Sequence, residues 1–190
     1  MGPSDGDGGD DDTALVRRSL DGDALAFEAL VRAHQAAAIR LALLIAGSAA
    51  DAEDIAQVAF VKAHRSLHRF RGGASFRTWI LAIVANESRN HRRRIGRRSR
   101  YELALADDRA MRGGGALDPS MVAETRARSD ALAAAMARLP SRQREVVACR
   151  YLLELSVDET AAVLELRPGT VKSHLSRALE RLATEVASDG

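Results

Sequence analysis

Lys172, Ser173, Ser176, Arg177 and Arg181 fall mainly outside a helical stripe made by Val171, Leu175, Ala178, Leu179 and Leu182. Cations and hydroxyls at that spacing can pair with phosphate oxygens and hydrogen-bond to base edges. The stretch before them is built to hold such a helix in place. Ser156 with Glu159 three residues on has the pattern of a capping box, which starts a helix whose buried stripe is Val157, Thr160, Ala161 and Leu164. Pro168 then supplies a fixed φ and no N–H, which suits the first position of a second helix. Two helices broken by a short turn, the second with a cationic face, are the plan of a helix-turn-helix that fits the DNA major groove. An ordinary helical hairpin with a solvated basic face gives the same pattern.

A second cationic run carries Asn86, Arg89, Asn90, His91, Arg92, Arg93 and Arg94 and continues through Arg97, Arg98 and Arg100. Such runs are often only solvated faces, but one of this length points to nucleic-acid contact. Asp51, Glu53 and Asp54 form an acidic cluster that complements the positive end of a helix dipole. His64 and His68 stand four apart, a spacing that can chelate zinc, but no third ligand lies nearby, so no metal is expected. No glycine-rich phosphate loop, nucleophile motif or other catalytic constellation is present, so we expect neither an enzyme nor a cofactor. Cys149 is the only cysteine, which excludes an intrachain disulfide; its apolar neighbours predict a buried thiol, in keeping with a reducing compartment.

The elements that position these groups must be helices. The chain has 190 residues, 46% hydrophobic but only 4% aromatic, and is rich in alanine, so its cores must be Leu, Val, Ile and Ala in helices. The expected fold class is all-α, with two small helical domains joined by a flexible linker. The net charge of +2 hides segregation, with acids crowding the first segment and arginines the middle. Residues 1–12 are expected to be a disordered acidic tail. One helix is expected from Thr13 to Ala46, ended by Gly47, a second opens at Asp51, and a third carries Phe76, Trp79, Ile80, Ile83 and Val84. The first domain then spans 13–96, a linker with Gly113 to Gly115 and Pro119 spans 97–121, and the second domain spans 122–186. That second domain should open with a helix from Val122 to Leu139 and restart after Ser141. No apolar run reaches membrane-spanning length and the N-terminus lacks the order of a signal peptide, so a cytoplasmic protein without membrane insertion is expected.

The stretch DAEDIAQVAFVKAHRSLHRFRGGASFRTWILAIVANESRNHRRR resembles conserved region two of bacterial sigma factors, and LPSRQREVVACRYLLELSVDETAAVLELRPGTVKSHLSRALERL resembles region four. Their order, with no substantial domain between them, is similar to the extracytoplasmic function group of the sigma-70 family. The resemblance implies a sigma factor that binds core RNA polymerase, through its clamp helices and flap, and starts transcription at promoter DNA under the control of an anti-sigma factor. It makes Asp51, Asp54, Gln57 and Phe60 candidate polymerase contacts. For the opened minus 10 element and its flipped base it implies Arg71, Ser75, Phe76, Asn86, Arg89, Asn90 and Arg93, with the Gly72 to Phe76 loop forming part of the pocket. Trp79 is expected in the core instead, because it shares a face with Phe76, Ile80 and Ile83. For the minus 35 duplex the resemblance implies Lys172, Ser173, His174 and Arg177 in the groove, with Arg167 and Thr170 near phosphates at the helix start. The linker, with Asp107, Asp108 and Asp118, would thread the polymerase cleft.

Four positions depart from the family's pattern. Glu165 stands where the turn often has glycine, which predicts strain on the order of 1 kcal/mol. His174 stands where arginine is frequent and lacks arginine's fork for guanine. His64 replaces a frequent tryptophan and Thr160 a frequent isoleucine. A conventional repressor or activator with a helix-turn-helix is the competing reading, but no dimerisation helix or effector pocket is visible.

Overall fold

The structure, a computed structural model, describes residues 7–105, 135–136 and 138–188. Every regular element among them is helical. The first is α1 (Asp7–Leu20), followed by α2 (Ala24–Ala46) and α3 (Ala49–Ser66), which runs into a short 3-10 turn at Leu67–Arg69. After a loop through Gly72 comes α4 (Phe76–Leu105).

Where the periodicity from Thr13 to Ala46 predicts one helix, the chain breaks at Asp21 to Asp23. Gly22 takes φ 95°, and the Asp23 carboxylate accepts from the Leu25 and Ala26 amides at 3.0 and 3.2 Å. A glycine between two aspartates ends one helix and caps the next, and this local signal outweighs the continuing apolar period. The acidic tail also needs correction. The chain is helical from Asp7, and Asp12 is buried, with its carboxylate 2.9 Å from His34 Nε2 on α2. Residues 1–6 lie outside the described residues.

The first core is made by Leu30, Leu41 and Ile45 of α2, Ile55 and Ala59 of α3, and Phe76, Ile80, Leu81 and Val84 of α4. Contrary to the expectation from uninterrupted runs, α2 is long and apolar enough to cross a membrane by length and composition. Here it is the core helix on which α1, α3 and α4 converge, with Leu30, Ala38, Leu41 and Ala42 fully buried. Gly47 closes it in the left-handed conformation at φ 83°.

Residues 97–105, expected as linker, belong to α4, where Arg, Glu, Leu and Ala favour continued helix over a break. The remainder of that linker, and the expected helix from Val122 up to residue 134, lie outside the described residues. The chain resumes as α5 (Ser141–Val147), passes through a π-helical turn at Ala148–Leu152, and continues as α6 (Val157–Leu164) and α7 (Pro168–Ser188). Val146, Cys149, Leu155, Val163, Leu164 and Val171 fill its interior. Burial, reinforced by nearby Glu145, pushes the Cys149 thiol up to about 12, so it stays protonated and inert.

The two helical groups share one continuous apolar core, in which α6 packs along α4. Polar contacts stitch the seam. Arg77 donates to the Leu153 carbonyl at 2.6 Å, Arg40 to the Leu152 carbonyl at 3.4 Å, and the Thr78 hydroxyl to Glu159 at 3.4 Å.

Candidate nucleic-acid interface

Helix α6 starts as its sequence predicts: the Ser156 hydroxyl accepts from the Glu159 amide at 3.1 Å and the Glu159 carboxylate accepts from the Ser156 amide at 2.7 Å. Burial tends to raise the Glu159 carboxyl. Its bonds to Ser156, the Arg77 charge and Thr78 outweigh that and hold it below the usual value. The turn to α7 passes through Glu165 at φ 56°, ψ 47°, so the residue that replaces glycine does adopt the left-handed conformation. Leu166 then donates to the Ala161 carbonyl at 2.9 Å, and Pro168 opens α7.

Val171 and Ala178 of α7 are fully buried and Leu175 is partly so, while Leu179 of the expected stripe is 41% exposed at its margin. Arg167, Lys172, Ser173 and Arg177 are exposed, and Thr170 and His174 are half-buried. The cationic and hydrogen-bonding groups therefore stand together on one open side of a helix whose other side is anchored. Ser173 donates its hydroxyl to the Gly169 carbonyl at 3.0 Å, so towards other groups it can act only as an acceptor.

The candidates on α4 and the preceding loop divide. Arg71, Ser75, Asn86 and Arg93 are exposed and Asn90 is half-buried. Phe76 is not: only 2% of it is exposed, and its ring meets Phe70, Trp79 and His34 at 6.0, 5.7 and 5.4 Å, because an aromatic at the start of α4 plugs the core. It supports the loop from below. Trp79 is partly buried against the core, as its helical face predicts, and also lines a small cavity of about 200 Å³ with Arg71 to Ala74 and Ala162 of α6. Arg89 faces the second helical group. Its side chain is only 11% exposed, 3.8 Å from Glu145 and 3.4 Å from the Leu164 carbonyl. Burial lowers the Arg89 pKa, with Glu145 opposing, and the arrangement makes this guanidinium part of the seam.

On α3, Asp54 and Gln57 are exposed and Asp51 is half-buried, with its carboxylate 3.3 Å from His91. Phe60 is only 7% exposed and belongs to the core, but its edge reaches the floor of an apolar groove of about 620 Å³ between α2 and α3. Phe27, Val31, Gln57 and Val61 share that groove, and His64 packs edge-on against Phe27 with ring centres 4.7 Å apart. Reading the sequence missed both the groove and the seam residues Arg40, Arg77, Thr78 and Glu145. The groove's apolar members stand out only once α2 and α3 are paired, and the seam joins residues far apart in the chain.

Residues 30–98 match the family described as sigma-70 region 2, and residues 129–182 match that described as sigma-70 region 4. The RNA polymerase sigma-H factor of Pseudomonas aeruginosa is 34% identical over 176 residues, covering 90% of this chain and 91% of that protein. This chain belongs to the sigma-70 family of RNA polymerase sigma factors. The ECF RNA polymerase sigma-E factor of Escherichia coli K12 is 33% identical over 180 residues, covering 92% of this chain and 94% of that one. Among solved structures, CnrH in complex with the cytosolic domain of CnrY matches with a TM-score of 0.69 and 26% identity, covering 95% of this sigma factor and 99% of CnrH. The sigma factor RpoE of Bartonella quintana, in complex with the anti-sigma factor NepR, has the same fold, with a TM-score of 0.66, 23% identity and coverage of 86% and 98%. As a sigma factor, the chain directs promoter-specific transcription by RNA polymerase.

Proposed function

We propose a division of labour among three surfaces of this sigma factor. The exposed side of α7, with Arg167, Thr170, Lys172, Ser173, His174 and Arg177, reads the minus 35 duplex. The loop from Arg71 to Ser75 and the exposed side of α4, with Asn86, Asn90 and Arg93, hold the opened minus 10 strand. Asp51, Asp54 and Gln57 of α3, beside the groove floored by Phe60, receive the clamp helices of core polymerase, and the α5 to α7 group meets its flap. Arg89 joins the minus 10 set only when α6 leaves α4, so the working form is more open than the one described above. An anti-sigma factor is the further partner, and the cytoplasm the place of action.

The observation that carries the reading is α7 itself: Val171 and Ala178 are fully buried while Lys172, Ser173 and Arg177 beside them are exposed. The test is transcription by the reconstituted holoenzyme from a promoter library randomised at minus 35. Lys172→Ala or Arg177→Ala should weaken promoter use. A lost phosphate contact lowers it for all sequences and flattens the salt dependence, whereas a lost base contact costs roughly 1 to 3 kcal/mol and relaxes one position. His174→Arg should shift preference towards guanine at one position. Unchanged preference in all three variants would remove α7 as the reader.

A further inference from the structure

A cavity of about 550 Å³ lies between α4 and α5, lined by Arg89, Arg92, Arg93, Gly96 and Arg97 on one side and Ser141, Arg142 and Glu145 on the other. The spacing on α4 places its four arginines on one helix face, and Gly96 leaves room among them. Glu145, the sole carboxylate among the described residues of the lining, is already engaged, accepting from Arg142 at 2.9 Å and lying 3.8 Å from Arg89. Among the described residues no carboxylate pairs with Arg92, Arg93 or Arg97. Five arginines thus line one space with, among the described residues, one carboxylate. Burial, joined by the fields of Arg142 and Arg93, already disfavours the charged form of Arg89.

We propose that this cavity is a binding site for a compact polyphosphate, either free or as the tail of a nucleotide. Guanidinium forks match phosphate oxygens two at a time, so several arginines converging on one space select a ligand with several linked phosphates over a single carboxylate. The volume lies within the roughly 300–1,000 Å³ of small-ligand sites, with α5 along one side, which suits a short chain of phosphates. Ser141 offers a hydroxyl on the wall opposite the arginines. Because that wall belongs to the second helical group and the arginines mainly to the first, the ligand binds the closed arrangement and stabilises it by mass action.

The test is calorimetric titration of the full chain with inorganic triphosphate and, separately, ATP, at a constant ionic strength of about 0.15 M. It needs neither polymerase nor promoter, so its failure is distinct from failure of the promoter-reading proposal. Saturable one-site binding is expected. Arg92→Ala combined with Arg97→Ala should weaken it by at least about tenfold. Gly96→Leu should do the same while keeping every charge, and it is tolerable because a Cβ at Gly96 meets nothing within 4 Å. Arg65→Ala, on α3 away from the cavity, should leave binding unchanged. Equal affinity for the two ligands identifies the phosphate chain as the whole determinant, and tighter ATP binding adds the nucleoside; either supports the site. No saturable binding, equal weakening by Arg65→Ala, or wild-type binding by folded Gly96→Leu would overturn it.

Discussion

Thr160 sits on α6 with no exposed surface, and its hydroxyl has no hydrogen-bond partner among the described residues. A buried hydroxyl left unpaired costs about 1–3 kcal/mol, so Thr160→Val, which keeps the shape and removes the polar atom, should stabilise the chain by roughly 1 kcal/mol. Thermal unfolding of the two proteins measures this as a higher Tm for the variant. Glu159 gives a pH signature of opposite character. Its carboxyl is held below the usual value of 4.5 in the fold, so the stability it contributes is fully present above that value and is lost as pH falls through its depressed pKa. The stability difference between the chain and Glu159→Gln, measured by denaturant unfolding, should be constant near neutrality and shrink below about pH 4.5. Both residues were legible in the sequence, one as half of a capping box and the other as a polar residue on an apolar stripe, because caps and stripes are local. The fate of Arg89 was not legible, since a guanidinium on an arginine-rich helix gives no local sign of the distant carboxylate it will meet.

Among the elements, α3 separates the core from its polar candidates: Ala52, Ile55, Ala56 and Ala59 are buried while Asp54 and Gln57 are exposed. Reversing charge on the outer face should not disturb the core. Asp54→Lys with Gln57→Lys should therefore retain the helical circular dichroism and unfolding midpoint within about 0.5 kcal/mol, yet weaken association with core polymerase, measured by fluorescence anisotropy. Unchanged affinity in the folded double variant would move the polymerase contact elsewhere. Helix boundaries followed the sequence where a capping side chain, a proline or a glycine marks them, as at Ser156, Pro168 and Gly47. They departed from it at Asp21 to Asp23, where a continuing apolar period masked a turn, and beyond Arg97, where charged residues with good helix propensity read as a linker.

At the scale of the molecule, Glu145 of α5 meets Arg89 of α4, with side chains 4% and 11% exposed. Removing one partner of a buried ion pair costs about 3–5 kcal/mol because the other charge stays behind without compensation, and separation of the helical groups returns Arg89 to water. Glu145→Ala should consequently shift the chain to a more open form. Dyes on Arg65→Cys and Glu180→Cys, with the buried Cys149 thiol unreactive, should report lower transfer efficiency in this background than in the parent; equal efficiency would mean that the apolar seam alone sets closure. The π-helical turn at Ala148–Leu152 bears on the same geometry. A π turn accommodates one residue more than an α turn, so it acts as a spacer inserted between α5 and everything after it. Deleting one residue there would let the backbone relax to an ordinary helical turn, with the change of length taken up where it is made. The elements on either side would keep their phase, so one surplus peptide unit marks a place where the chain can change length without losing the packing around it.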